Sequence, residues 1–227
     1  MAIRIVLIEE NLYDCLLLAC ALENNGINVA DTSNSLSEVS TLMKKHKPDV
    51  AVFSLDTHAI DVMNAAHKAR KVNSEISLVF LTNVPDIRLL GLNEKELPRG
   101  AVIIVRSSLT TLETLVKRIE GSIHELAVTA PPSKSIKSPV AGTSALSLLQ
   151  SLTQVQIETL RLVAMGSSNA EIARARLVTE KAVEHTITRM LQALKIAANS
   201  RHNARVLLSR EYFRWVDVDN QSPKLVP

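Results

Sequence analysis

Residues 152–195 read LTQVQIETLRLVAMGSSNAEIARARLVTEKAVEHTITRMLQALK. Within this stretch Thr153 is followed three positions later by Gln156, and Ser168 by Glu171. At that spacing the hydroxyl accepts from the third helical N–H and the later side chain reaches back to the cap, which fixes two helix starts. Thr179 is placed to cap a third helix, with Glu180 in its first turn set favourably against the helix dipole. Gly166, Leu177–Thr179 and Ala197–Ser200 separate the helical patterns, and a fourth follows at about Arg201–Tyr212. The C-terminal region therefore reads as an all-α four-helix domain.

In the third helix Val183, Ile187, Met190, Leu191 and Leu194 recur at three- and four-residue intervals and form one apolar stripe. The opposite face carries Lys181, Glu184, His185, Thr188, Gln192 and Lys195. A helix that packs on one side and offers donors and acceptors on the other suits the DNA major groove, with its first two turns against the base edges.

Leu152-Thr153, Leu160-Arg161-Leu162, Gly166, Ser168-Asn169, Glu171-Ile172-Ala173, Glu180-Lys181, Val183, Arg189 and Leu191 together resemble the LuxR-type helix-turn-helix across roughly residues 150–212. The resemblance implies that the third helix enters duplex DNA and that the fourth pairs with its mate in a homodimer. It places Glu184, His185 and Thr188 toward the bases and Lys181 and Arg189 near phosphates. Many relatives carry a basic residue at the position of Glu184; a carboxylate there accepts from a cytosine amino group or is repelled by phosphate. In the fourth helix Ala204, Leu207 and Leu208 offer an apolar dimerisation patch.

The N-terminal half has a different pattern. Ile3–Ile8, Ile27–Ala30, Val50–Ser54, Ile76–Thr82 and Ala101–Val105 read as strands, each followed by a helical segment. Most of these runs are continuously apolar rather than alternating, as expected of strands buried on both faces. Five βα units give an α/β fold with a doubly wound, five-stranded parallel sheet. Ala127–Ser147, with Pro131, Pro132 and Pro139 among small and polar residues, reads as a linker. The expected organisation is a regulatory domain over 1–124, a linker over 125–148, a helix-turn-helix domain over 149–214 and a tail over 215–227.

Strand one running into Glu9-Glu10, Pro48-Asp49-Val50 leading strand three to Ser54, and strand four ending in Thr82 resemble the receiver domain of response regulators. With the helix-turn-helix, the order is similar to that of the NarL/FixJ type. The resemblance implies an acidic Mg²⁺ site after strand one, an aspartate acceptor ending strand three, a Thr or Ser after strand four and a lysine after strand five. Here Ser54 stands at the acceptor position and Val105 or Arg106 at that of the lysine. A serine hydroxyl forms no acyl phosphate and, without a base, is a poor nucleophile near neutral pH.

Glu9 and Glu10, if they replace aspartates, are each one methylene longer, which suits octahedral Mg²⁺ poorly and leaves at most a weak cation site. Asp56, two residues beyond Ser54 and on the same side of an extended strand, is the alternative acceptor. The reading is a degenerate receiver independent of aspartyl phosphorylation, with no cofactor and no catalytic residue. Its role is dimerisation, binding of a regulatory protein or small ligand, or occlusion of the DNA-binding domain.

Charge agrees with a nucleic-acid partner for the second half only. Residues 1–130 carry 13 Lys and Arg against 16 Asp and Glu, whereas residues 131–227 carry 13 against 7. No apolar run of the 227 residues is long enough for a membrane span, and the start lacks signal-peptide character, so a cytoplasmic protein is expected. Cys15 and Cys20 lie on different faces of one helix and are expected as buried thiols. A flavodoxin-like enzyme would need a phosphate loop after strand one, where Glu9, Glu10 and Asn11 stand instead. A protein-interaction adaptor that keeps the helix-turn-helix without binding DNA is the other alternative.

Overall fold

The computed structural model describes residues 3–56, 58–127, 148–197 and 203–216. These divide into two compact units, one built from the N-terminal strands and helices and the other from the C-terminal helices together with Val84–Gly91.

In the first unit, β1 (Arg4–Ile8), β2 (Asn28–Ser33), β3 (Val50–Ser54), β4 (Ser77–Thr82) and β5 (Val102–Val105) form one parallel sheet in the order β2-β1-β3-β4-β5. The continuous apolar runs are buried on both faces, β4 along its whole length. One face, with Ile5, Leu7, Val50, Val52, Val79 and Leu81, packs beneath α1 (Leu12–Glu23) and α4 (Leu112–Ala127). Alternation along a strand sends Phe53 and Phe80 to the opposite face, where their rings stack at 5.7 Å. There α2 (Val39–His46) packs against α3 (Ala59–Val72).

The sequence expectation of a helix after every strand holds after β1, β2, β3 and β5 but not after β4. Two 3-10 turns, Ile87–Leu90 and Glu94–Glu96, follow β4 instead. Pro85 lacks the N–H that a helical ladder needs, and Gly91 adopts a left-handed conformation with φ 84° that ends the first turn. Of the two thiols, Cys15 is buried as expected, whereas Cys20 is exposed because its face of α1 points away from the sheet.

The second unit contains α5 (Gln154–Ala164), α6 (Asn169–Arg176), α7 (Glu180–Ala193) and α8 (Ala204–Val216). Both capping boxes form, and the Thr179 hydroxyl accepts from the N–H of Ala182. The fourth helix begins at Ala204 and reaches Val216, past the expected end at Tyr212; Arg201 lies outside the described residues. Of the linker expected over 125–148, residues 128–147 lie outside the described residues and 125–127 belong to α4; of the tail expected over 215–227, residues 217–227 lie outside them and Trp215 and Val216 belong to α8.

Val84 and Leu89 are fully buried in the core of this unit beside Leu152, Leu160, Val183, Met190 and Leu208. Tyr212 Oη donates to Leu89 O at 3.1 Å, and Arg88 Nη1 donates to Leu152 O at 2.9 Å. Asp86 holds the Arg88 guanidinium with Arg88 Nη2 at 2.6 Å. A Cβ at Gly91 would fall 2.5 Å from Arg161 Nη2, so a larger residue there must push that guanidinium aside.

Candidate nucleic-acid interface and receiver site

α6, the turn at Leu177–Thr179 and α7 position the candidate DNA-facing residues. Ser168 accepts from Glu171 N while the Glu171 carboxylate accepts from both the N–H and the hydroxyl of Ser168. These bonds hold the Glu171 carboxyl below its ordinary value, the backbone N–H of Ser168 contributing most. α6 ends with Leu177 at φ 53° and Val178 N donating to Ala173 O at 2.9 Å, a left-handed cap that redirects the chain into α7.

α7 then buries Val183, Ile187 and Met190, with Leu194 at its C-cap also buried and Leu191 half-buried. Lys181, Glu184, His185, Thr188 and Arg189 are all exposed, on the surface opposite that stripe. The Thr188 hydroxyl donates to Glu184 O at 3.0 Å, so its oxygen remains an outward-facing acceptor. A mixed face of one carboxylate, one hydroxyl, one imidazole and two cations can present both donors and acceptors to base edges and positive charge to phosphates.

The basic residues around α6 are less free than their number in the sequence suggests. Arg176 Nη1 donates to Thr159 Oγ1 at 2.8 Å. Arg205 Nη1 donates to Asn169 Oδ1 at 2.7 Å, and Arg205 Nη2 donates to Ser167 O. Arg205 therefore braces the start of α6, a role that charge counting did not anticipate.

On α8, Ala204 and Leu207 are half-buried, but Leu208 is fully buried in the core of its own unit and is not part of an exposed dimerisation patch. The helical period turns Leu208 inward with Tyr212 and Trp215, and leaves Val206 and Phe213 outward at 65% and 52% exposure.

In the first unit the expected receiver positions converge at the carboxyl ends of β1, β3, β4 and β5. Arg106 Nη2 donates to Glu9 Oε2 at 2.9 Å and to Ser54 Oγ at 3.1 Å. Glu9 is buried, and its other oxygen accepts from Asn11 N at 3.1 Å. Glu10, the second expected acid, is exposed. No cluster of three or more His, Cys, Asp or Glu suited to a metal occurs among the described residues.

Asp56 lies past the end of β3, as its sequence position suggests, and faces β4 rather than the Arg106 group. Its Oδ1 accepts from Thr82 Oγ1 at 3.0 Å and from Asn83 N at 2.6 Å, and its Oδ2 accepts from Asn83 Nδ2 at 3.4 Å. Neither the Arg106 bridge nor the Asn83 contact was legible in the sequence.

Residues 150–208 match the model of the luxR family of bacterial regulatory proteins. No curated protein sequence matches the chain. Among solved structures, two RcsB dimers bound to two parallel DNAs provide a chain with TM-score 0.52 at 15% identity, covering 95% of this chain and 100% of that one. The structure of the two-component response regulator RcsB–DNA complex gives TM-score 0.51 at 14% identity, with the same coverage. RcsB from Salmonella enterica serovar Typhimurium, bound to a promoter, gives 0.49 at 16% identity over 92% of this chain and 98% of that chain.

The fold is similar to that of those RcsB chains, a receiver-like parallel α/β unit followed by a helical unit. Residues 150–208 are a LuxR-family helix-turn-helix domain. Among the described residues no helix is long and apolar enough to cross a membrane.

Proposed function

We propose that this chain is a cytoplasmic, sequence-specific transcriptional regulator that binds duplex DNA through α7, and that its receiver-like unit acts without aspartyl phosphorylation. The observation that carries the DNA-binding reading is the exposed face of α7 within a LuxR-family domain: Lys181, Glu184, His185, Thr188 and Arg189 all point outward while Val183, Ile187 and Met190 anchor the helix. Lys181 and Arg189 contact phosphates, and Glu184, His185 and Thr188 read bases. Binding-site selection with purified protein from genomic fragments, repeated across a salt series, tests it. A single enriched motif whose affinity falls steeply with salt supports the reading. Equal recovery of all fragments, or no retention at low salt, refutes it and leaves the adaptor alternative.

The phosphorylation-independent reading rests on Arg106, Glu9 and Ser54. A guanidinium bridges the serine and the buried acid, so the place of an acceptor and its cation is filled by a side-chain ion pair.

The working form is a homodimer. α1 supports this, because Leu12, Tyr13, Leu16 and Leu17 are between 52% and 69% exposed and adjoin one another along the helix. An apolar stripe of that kind marks an association surface. Cys20 lies one turn beyond Leu16 and is exposed, so mild oxidation should give a disulfide-linked dimer that Cys20→Ser abolishes. Failure of Leu16→Glu to lower the dimer fraction in sedimentation would remove α1 from the interface.

A further inference from the structure

α6 has little apolar footing of its own, burying only Ile172 and Ala173 of its 8 residues. Its C-terminal end is held least by packing, because Leu177, which caps it, is 93% exposed and Val178 is also exposed. Only Leu177, Val178 and Thr179 separate that end from α7, so a shift of α6 passes to the first turns of α7, where Lys181, Glu184 and His185 stand. Base readout needs side chains held to within about half an ångström. Contacts other than apolar packing must therefore fix α6.

Two half-buried guanidinium groups supply such contacts, one at each end. At the C-terminal end Arg176 Nη1 donates to Thr159 Oγ1 at 2.8 Å, and Thr159 is a fully buried residue of α5. The same hydroxyl donates to Val155 O at 2.8 Å, which fixes its proton and leaves its oxygen free to accept from Arg176. At the N-terminal end Arg205 of α8 straddles the cap residue Ser168: its Nη1 donates to Asn169 Oδ1 at 2.7 Å and its Nη2 to Ser167 O. A planar fork holds two acceptors at once in a way that a single ammonium does not.

We propose, on the DNA-binding reading of α7, that Arg176 and Arg205 are positioning residues: they set the tilt of α6, and through it the placement of α7, and neither contacts phosphate. By charge alone both would be counted among the residues that neutralise the DNA backbone. The two roles respond differently to substitution.

Thr159→Val removes the acceptor of Arg176 while leaving every charge in place, and a fully buried residue cannot itself touch DNA. Affinity of the full-length protein for its selected site should fall about tenfold, with affinity for unrelated DNA and the salt slope unchanged. Thr159→Ser keeps the hydroxyl and should bind like the parent. Arg205→Lys keeps the charge but not the fork, and should lower selected-site affinity by a similar factor with unrelated DNA unaffected. A phosphate contact would survive that exchange, because an ammonium serves phosphate as a point charge. Trp215, the sole tryptophan, lies in the core of this unit, and its emission reports whether each variant is folded at the temperature used.

Parent-like selectivity in folded Thr159→Val would overturn the role of Arg176, and parent-like selectivity in folded Arg205→Lys that of Arg205. Equal loss on selected and unrelated DNA would assign the effect to stability or to phosphate contact and overturn the proposal. Should Thr159→Val not fold, Arg176→Ala makes the same comparison: lost selectivity with an unchanged salt slope supports positioning, and a slope reduced by about one counterion overturns it. A parent protein that selects no motif refutes the DNA-binding reading and this role with it, a different outcome from a motif-selecting parent matched by its variants.

Discussion

Arg106 Nη2 lies 3.1 Å from Ser54 Oγ and 2.9 Å from Glu9 Oε2, tying the end of β3 to the buried acid after β1. Glu9 has an 8% exposed side chain, so truncating Arg106 leaves a buried carboxylate without its counter-ion. Because Arg106 itself is 28% exposed, water would partly replace it, and Arg106→Ala should cost about 2 kcal/mol rather than the larger penalty of a fully enclosed pair. Urea melting of the full chain checks this. Ser54→Ala should be far milder, since Arg106 keeps Glu9. Equal losses for the two variants would mean that the serine, not the acid, holds the guanidinium.

Asp56 should behave as a brace between β3 and β4 and not as a phosphoryl acceptor. Its Oδ1 already takes the Thr82 hydroxyl and the Asn83 N–H. Asp56→Ala removes an acceptor from the Thr82 hydroxyl and from the Asn83 N–H, and should cost about 1–3 kcal/mol. Incubation with acetyl phosphate should leave no hydroxylamine-labile adduct. A stoichiometric adduct at Asp56 would restore phosphorylation as the switch.

The strands were legible because both faces of the sheet are buried, which forces uninterrupted Val, Ile and Leu, and the helix starts because Thr153 and Ser168 carry their capping partners at fixed spacing. What lay beyond local sequence was any pairing across distance. Arg106 meets Glu9 across 97 positions, and Tyr212 meets Leu89 across 123. The alternation around it suggests a helix after β4, whereas Pro85 and Gly91 limit the segment to 3-10 turns. An apolar patch of Ala204, Leu207 and Leu208 is expected only if a four-helix domain is too small to cover it; the unit's own core covers Leu208 completely, beside Tyr212 and Trp215.

Val84–Gly91 should be a structural part of the helical unit. Leu89 is fully buried in that core, so Leu89→Ala should lower the stability of the unit by about 2–5 kcal/mol. Tyr212→Phe removes only the bond to Leu89 O and should cost about 1 kcal/mol. Gly91→Ala meets both a left-handed φ of 84° and the Arg161 guanidinium, and should be more costly than Tyr212→Phe. The melting of α5–α8, followed by Trp215 emission, reports all three. No change for Leu89→Ala would show that the helices close their core without this segment.

The cap of α6 makes a pH-dependent contribution of definite sign. Bonds from the Ser168 N–H and hydroxyl lower the Glu171 carboxyl from its ordinary value of 4.5. The folded value is therefore below the unfolded one, so the stabilisation is complete above about 4.5 and is lost as pH falls through the folded value. The Tm difference between the parent and Glu171→Gln should be largest near neutrality and shrink toward zero in acid. A difference that stays constant would assign the effect to helix geometry alone.

The exposed face of α7 should separate into residues that hold DNA and residues that read it. Lys181→Ala or Arg189→Ala removes a charge that meets phosphate, and should weaken binding to all sequences about equally while reducing the salt slope by about one counterion. Glu184→Ala or Thr188→Ala should cost about 1–3 kcal/mol at the selected site and little elsewhere, the range of a base contact. Because Thr188 donates its hydroxyl proton to Glu184 O, its oxygen can only accept from a base, which points to an exocyclic amino group as its partner. Glu184 is also an acceptor. Both readers therefore favour amino-bearing edges, cytosine or adenine, and Glu184→Lys should reverse that preference toward guanine at one position while raising affinity for unrelated DNA. Selection with Glu184→Lys that returns the parent motif unchanged would place Glu184 outside the reading set, leaving its carboxylate as a brake on non-specific binding alone.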